Sequence, residues 1–218
     1  KALRISKKIG NKENSGIILM NIGHIFNNLN QNEEAFNYYK ESLDISREAG
    51  DKVTEGETLN RIGEIEEKMN RDELALDYYY QSMKILEECE NQFYQIEVLI
   101  NLGEFYIKRK EYNRGVDFLH KSIEVAGKIS ANRKIYGIHL SLANYFASRG
   151  DYPTALYHYT KYHEIEKKVT TENLEEKLKM MTIEYKVDQI QKESEIYRLK
   201  NIELKQLNDK LEEKAQLL

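Results

Sequence analysis

The residues that most often carry enzyme chemistry are few and scattered in this sequence of 218 residues. The five histidines and the single cysteine, Cys89, have none of the spacings typical of a metal site or an activated nucleophile. His158 and His163 are five residues apart, so on a helix they do not share a face. The sequence also lacks glycine-rich phosphate loops and the HExxH and GxSxG motifs. We therefore predict a non-enzymatic chain without a metal or cofactor, whose histidines and cysteine pack or lie on the surface.

Tyrosine is the other residue type whose side chains could contact a ligand. The sixteen tyrosines include the runs Tyr38-Tyr39 and Tyr78-Tyr79-Tyr80. Such rings could stack on nucleic-acid bases. Tyr39 and Tyr79 are 40 residues apart, however, in step with a repeat of the whole chain, which favours a role in the core. The net charge of −4 gives no basic field for phosphate backbones or anionic lipid. We predict neither a nucleic-acid nor a membrane partner.

The longest uncharged stretch is residues 14–32, which contains seven amide side chains. Burying that many amides in hydrocarbon is too costly for a transmembrane helix. The single cysteine and the lack of an apolar signal-peptide segment predict a cytoplasmic protein.

The elements that position these side chains follow from a repeat of 40 residues. The chain has only one proline, which favours long helices over bent loops. Apolar residues recur at helical spacing on either side of a polar break in each unit, so each unit is predicted to form two antiparallel helices. The aligned columns are Gly23, Gly63, Gly103 and Ala143; Ala35, Ala75, Gly115 and Ala155; Tyr39, Tyr79, Leu119 and Tyr159; Ile22, Ile62, Leu102 and Leu142; and Ser42, Ser82, Ser122 and Tyr162.

These columns resemble the tetratricopeptide repeat (TPR) family. The resemblance implies an all-α fold, a right-handed superhelical solenoid of antiparallel helix pairs, followed here by a long C-terminal coiled-coil helix. Two features depart from the family pattern. The period is 40 rather than 34 residues, and the usual proline after the second helix is replaced by Arg47, Glu87, Gly127 and Lys167. Helices extended beyond their usual stop explain both departures.

The period also predicts the domain organisation. Residues 1–13 are the tail of a truncated repeat, and residues 14–171 form four repeats at about 16–49, 56–89, 96–129 and 136–169. Residues 172–218 contain no glycine or proline, and we expect a new helix there that begins near Glu172, caps the last repeat and continues into a coiled-coil linker.

The resemblance implies that a protein or peptide ligand lies in the concave groove formed by the first helices. Counted from the glycine column, the candidate peptide-binding residues are Met20, His24, Asn27, Asn60, Glu64, Glu67, Glu104 and Asn144. Their glutamates predict an acidic groove that prefers a basic or amide-rich ligand, and the basic residues with which some TPRs clamp a terminal carboxylate are missing from these positions. A merely solvated face is the alternative.

The C-terminal segment has a heptad pattern that predicts a homodimeric coiled coil. In one register Asn201 and Asn208 occupy a positions, and in the competing register Lys186, Lys200 and Lys214 would enter the seam. The candidate dimer residues are Ile190, Tyr197, Asn201, Leu204, Asn208 and Leu211.

Repeats followed by such a helix resemble the N-terminal sensor and linker of bacterial signalling proteins of the GGDEF diguanylate cyclase or histidine kinase type. The resemblance implies a non-catalytic module of a cytoplasmic signalling protein that passes a signal through the coil to an output domain, most simply a diguanylate cyclase, beyond residue 218. Two alternatives stay open: a stand-alone peptide receptor of the quorum-sensing type and a passive interaction scaffold.

Overall fold

The computed structural model describes residues 6 and 9–216, and for residues 206–216 it describes the backbone alone. Most of the predicted N-terminal tail and the side chains of Asn208 and Leu211 therefore lie outside the described residues. The described part is built of helices without strands, so the predicted all-α solenoid of helix pairs with a long final helix is confirmed. The helices are α1 (Lys12–Asn28), α2 (Asn32–Ala49), α3 (Lys52–Lys68), α4 (Asp72–Glu88), α5 (Gln92–Lys108), α6 (Tyr112–Lys128), α7 (Asn132–Ser148) and α8 (Tyr152–Gln216).

The chain turns at intervals of 20 residues, each time through a residue with left-handed φ. Within helix pairs the turn residues are Asn30, Asn70, Lys110 and Gly150, and between pairs they are Gly50, Glu90 and Ser130. The amide after each of these residues bonds to a carbonyl five positions earlier, as in Gln31 to Phe26 at 2.9 Å. This is the Schellman cap, which satisfies carbonyls left unpaired at a helix end. The repeat is thus defined as much by its helix stops as by its core.

The next place in the series of turns is Thr170, where the helix continues. A β-branched residue resists left-handed φ, so Thr170 is a poor turn residue. Thr171 donates its hydroxyl to the carbonyl of Lys167 at 2.9 Å, which is a bond within a helix rather than a cap. Helix α8 therefore runs from Tyr152 to Gln216 without interruption. The expectation that a new helix begins near Glu172 is wrong.

The glycine column lets the two helices of a pair approach closely. A Cβ atom added at Gly23 would lie 2.6 Å from the ring of Tyr39, and one added at Gly63 would lie 2.7 Å from the ring of Tyr79. Both tyrosines are fully buried. The aromatic column of the second helices thus packs directly on the glycine column of the first.

The serine column ties the two helices of the first and second pairs together in the interior, whereas Ser122 bonds to the carbonyl of Leu119 in its own helix. Ser42 donates its hydroxyl to the carbonyl of Gly16 at 2.8 Å, and Ser82 donates to the carbonyl of Gly56 at 2.6 Å. Both serines are fully buried, and their hydroxyls satisfy themselves on backbone carbonyls. A small side chain that can hydrogen-bond therefore suits this position in the first two pairs.

The chain divides into two compact units, residues 1–166 and 167–218. The first unit contains the repeated core, in which each second helix is covered by the next first helix: Tyr39 packs with Leu59 and Ile62. In the second unit the apolar side chains from Leu174 to Leu204 are all exposed, by 46 to 68%. The predicted capping role of residues near Leu174 stays a prediction.

Candidate interaction surface on the first helices

The first helices α1, α3 and α5 are joined by a row of polar side-chain contacts. Because the repeat is 40 residues long, equivalent positions of neighbouring first helices lie side by side, and the contacts link residues 41 apart in sequence. Lys68 donates to the amide oxygen of Asn27 at 2.5 Å, Asn101 donates to that of Asn60 at 3.0 Å, and Lys108 donates to Glu67 at 3.0 Å. We call the surface formed by α1, α3, α5 and α7 the first-helix face.

Arg61 is the centre of the charged network on this face. Its guanidinium bonds to Glu64 at 2.9 Å and to Glu97 at 2.7 Å, and it lies 3.7 Å from Glu57. Burial alone would lower the pKa of Arg61, but the three carboxylates outweigh this effect and raise it. Glu97 is also ion-paired with Lys134 on α7. The network therefore connects three consecutive helix pairs through mostly half-buried charges.

A second group of charges surrounds an open cavity of about 650 Å³ between α3, α4 and α5. Glu67 accepts bonds from Lys108 and from the buried Tyr79 hydroxyl, both at 3.0 Å, and Arg109 pairs with Asp72. The lining residues are Glu64, Glu67, Lys68, Asn70, Asp72, Tyr79, Asn101, Glu104, Lys108 and Arg109.

Glu104 differs from the other carboxylates of the cavity. It is exposed, and within the described residues no hydrogen bond or ion pair occupies its carboxylate. The protein walls nevertheless displace part of its water, which raises its pKa, and Lys108 partly offsets that effect. The other three carboxylates of the lining are ion-paired, Glu64 with Arg61, Glu67 with Lys108 and Asp72 with Arg109, so Glu104 is the carboxylate left for a ligand.

The predicted groove residues fall into three groups in the structure. Met20, Asn27 and Asn60 are buried, and Met20 belongs to a core cluster. His24, Glu64 and Glu67 are half-buried, and the latter two line the cavity with Glu104. Asn144 is exposed and lies elsewhere, in a groove between α7 and the start of α8.

The glutamates of the predicted groove have basic residues beside them, at positions outside those counted from the glycine column. Arg61, Lys108 and Lys134 stand at other positions of the same helices and pair with Glu64, Glu67 and Glu97, while Lys68 bonds to the amide of Asn27. Sequence reasoning missed them because it counted positions within one helix pair. The signal was available, since Lys68, Asn101 and Lys108 each follow a predicted groove position by 41 residues.

The groove that contains Asn144 marks an open end of the repeated core. It has a volume of about 420 Å³ and is lined by Ala143, Asn144, Ala147, Tyr152, Ala155, Leu156 and Tyr159. Tyr159 is 46% exposed, whereas its counterparts Tyr39, Tyr79 and Leu119 are at most 1% exposed beneath the next first helix.

The predicted dimer residues all lie in the second unit. Ile190, Tyr197 and Leu204 are 64, 68 and 57% exposed, and Asn201 is exposed as well. Large apolar side chains spaced seven apart and open to solvent on one helix are available for a partner helix. Within the residues that the structure describes, no helix is long and apolar enough to cross a membrane, and no three acidic, histidine or cysteine side chains are placed to hold a metal ion.

Comparison with known families places the repeat in the first part of the chain. Residues 1–88 match the family model described as tetratricopeptide repeat. No curated protein sequence matches the chain.

Solved structures share the fold over most of the chain at low sequence identity. BtubC from P. vanneervenii has 15% identity and a TM-score of 0.64, with 73% of this chain and 66% of that chain covered. A Rap protein complexed with competence and sporulation factor has 15% identity and a TM-score of 0.59, with coverage of 78% and 57%. A signal transduction ATPase (STAND) with a tetratricopeptide repeat sensor from Pyrococcus horikoshii has 22% identity and a TM-score of 0.60, with coverage of 79% and 27%. The chain thus spans less than two thirds of the length of these proteins.

Proposed function

We propose that the chain is a non-catalytic binding module of a cytoplasmic bacterial signalling protein, which takes a protein or peptide segment on its first-helix face. The observation that carries this proposal is the cavity beside Glu104, whose walls are held in place by ion pairs while Glu104 itself makes no hydrogen bond or ion pair within the described residues. A preformed site with one free acceptor binds a ligand at little ordering cost.

The charge of the cavity favours a ligand with basic or amide side chains over an acidic ligand. Since Glu64, Glu67 and Asp72 are already paired, an acidic ligand would meet the additional charge of Glu104. A segment that places a lysine, arginine or amide side chain opposite Glu104 would gain a charge-assisted hydrogen bond. The fold neighbours are consistent with ligand binding, because one is a Rap protein complexed with competence and sporulation factor and another contains a tetratricopeptide repeat sensor.

The binding proposal is tested with a phage-displayed library of random peptides panned on the full chain. We expect the enriched peptides to carry a basic or amide residue, and we expect Glu104→Gln to weaken their binding by about 1.5–3 kcal/mol, the typical value for a hydrogen bond to a charged group. Glu124→Gln is the matched control, because Glu124 is an exposed carboxylate on the second helix α6. Equal binding to both variants, or enrichment of acidic peptides, would contradict the proposal.

We also propose that residues beyond the repeats dimerise and pass the signal to an output domain, most simply a diguanylate cyclase. The heptad of exposed apolar side chains at Ile190, Tyr197 and Leu204 supports this role. Light scattering of the chain at tens of micromolar should give a dimer that Leu204→Lys combined with Leu211→Lys dissociates. Leu199→Lys removes an equally exposed leucine two residues past the seam position of Tyr197, and it should leave the dimer intact. A monomeric wild-type chain would overturn this part alone, without affecting the binding test.

A further inference from the structure

Two core positions of the fourth helix pair are histidines, although the first three pairs fill them with apolar or aromatic side chains. His139 takes the place of Leu19, Leu59 and Leu99, and it is 6% exposed. His158 takes the place of Tyr38, Tyr78 and Phe118, and it is 2% exposed. The repeat itself therefore shows that this core does not require histidine at either position.

The two imidazoles contact each other directly. Nδ1 of His139 lies 2.9 Å from Nδ1 of His158, so one ring donates a proton in a hydrogen bond that the other accepts. The ring of His158 also stacks on Phe146, with centroids 5.6 Å apart and planes 3° from parallel. The same stack is formed by Phe26 and Tyr38 in the first pair. His158 thus preserves the packing of a repeated aromatic stack and adds a titratable group to it.

The groups around the pair oppose a positive charge. His120 faces it from α6, with its ring 5.7 Å from that of His158, and Lys161 approaches from α8, while the ring of Tyr157 contacts His158 without adding a charge. None of these groups is a carboxylate that could compensate an imidazolium. Burial first, and then the neighbouring positive charges, lower the pKa of His139 to about 4, and burial and His120 lower the pKa of His158.

Because packing lowers the pKa of both histidines, the packed state loses stability relative to the opened state as the pH falls. The opened state binds protons below the ordinary histidine value of 6.5, whereas the packed state does not until about pH 4 for His139. Stability is therefore complete above about pH 6.5 and falls as the pH drops toward 4. Because both rings lie between α6, α7 and the start of α8, this loss falls on the contacts that hold the last helix pair together and against α6.

We infer that the His139–His158 pair makes the fourth helix pair a proton-sensitive latch. While both rings are neutral, they pack α7 against the first turns of α8. Acidification charges the pair and releases α7, whereas the first three pairs, which carry Leu and aromatic side chains at these positions, stay closed.

Hydrogen exchange of the full chain, corrected for intrinsic rates, tests the latch at about pH 7.5 and about pH 5. From the pKa of His139 we expect amides in the middle of α7 to lose about 30-fold in protection between the two pH values. Amides in the middle of α3 should change by less than about threefold, the usual context scatter of such effects. The matched control is His139→Leu combined with His158→Phe, which installs the residues of the third pair and should abolish the extra loss in α7.

A loss of protection in α7 that equals that in α3, or one that persists in the double variant, would overturn the latch. If the double variant does not fold by circular dichroism, the imidazole resonances of the wild-type chain decide by NMR titration. Midpoints well below 6.5 for both buried rings support the latch, and midpoints at or above 6.5 overturn it.

Discussion

The first three helix pairs and the fourth follow the same repeat but differ in how their core positions are used. In the first three, the column of Tyr39, Tyr79 and Leu119 is covered by the next first helix and is at most 1% exposed. In the fourth, Tyr159 is half exposed, two core positions are histidines, and the groove that contains Asn144 is apolar and open. The difference separates core positions that the fold dictates from core positions that the fold leaves free, and the second kind is where a switching role can be placed.

The largest expected loss of stability comes from a substitution in the buried core of the first three helix pairs. Leu59→Ala removes a fully buried side chain and should destabilise the chain by about 2–5 kcal/mol. Leu156→Ala removes a leucine that is 66% exposed in the open groove, and it should change stability by less than about 0.5 kcal/mol. Urea unfolding followed by circular dichroism measures both. A large cost at Leu156 would mean that this groove is covered in solution.

At the position of the glycine column, we expect glycine to be more stable than alanine in the second helix pair and alanine to be more stable than glycine in the fourth. At Gly63 a new Cβ would lie 2.7 Å from the ring of Tyr79, so Gly63→Ala should cost about 1–3 kcal/mol although alanine is the better helix former. In the fourth pair the same place holds the buried Ala143, and Ala143→Gly should cost about 1 kcal/mol through helix propensity and about 0.8 kcal/mol more through the lost methyl group. Urea unfolding followed by circular dichroism measures both variants. Stabilisation by Gly63→Ala would show that the helices of the second pair separate easily.

The smallest effect concerns the serine column. Ser82→Ala removes the buried bond to the carbonyl of Gly56 and should cost about 1 kcal/mol. The fourth pair has Tyr162 in this column, whose hydroxyl bonds to Glu166 near the surface, so Tyr162→Phe should cost less than about 0.5 kcal/mol. Thermal unfolding of the two variants checks the order, and equal costs would argue against a buried serine bond.

Much of the fold could be predicted from the sequence because the residues that recur every 40 positions are the ones that make the core contacts. The columns at Gly63, Tyr79 and Ser82 each have one contact that demands that residue type, so periodicity alone located helix pairs and core. The unbroken helix through Thr170 was missed because the apolar pattern changes there, while the helix stop depends on whether one residue accepts left-handed φ.

The candidate site was less predictable, because its contacts join residues on different helix pairs. Counting from the glycine column selected Glu64, Glu67 and Glu104 for the cavity, but it also selected Asn60, which is occupied by Asn101. His139 and His158 are 19 residues apart and on different helices, and only their departure from the columns pointed to them. Departures from a repeat are therefore as informative as the repeat.

The central claim, that the first-helix face beside Glu104 is the binding surface, is tested most directly by NMR of the isotope-labelled chain titrated with an enriched peptide from the display experiment. We predict that the shifted amide resonances concentrate on α3 and α5, around Asn101, Glu104 and Lys108. Shifts confined to the groove lined by Tyr152, Leu156 and Tyr159 would contradict the claim.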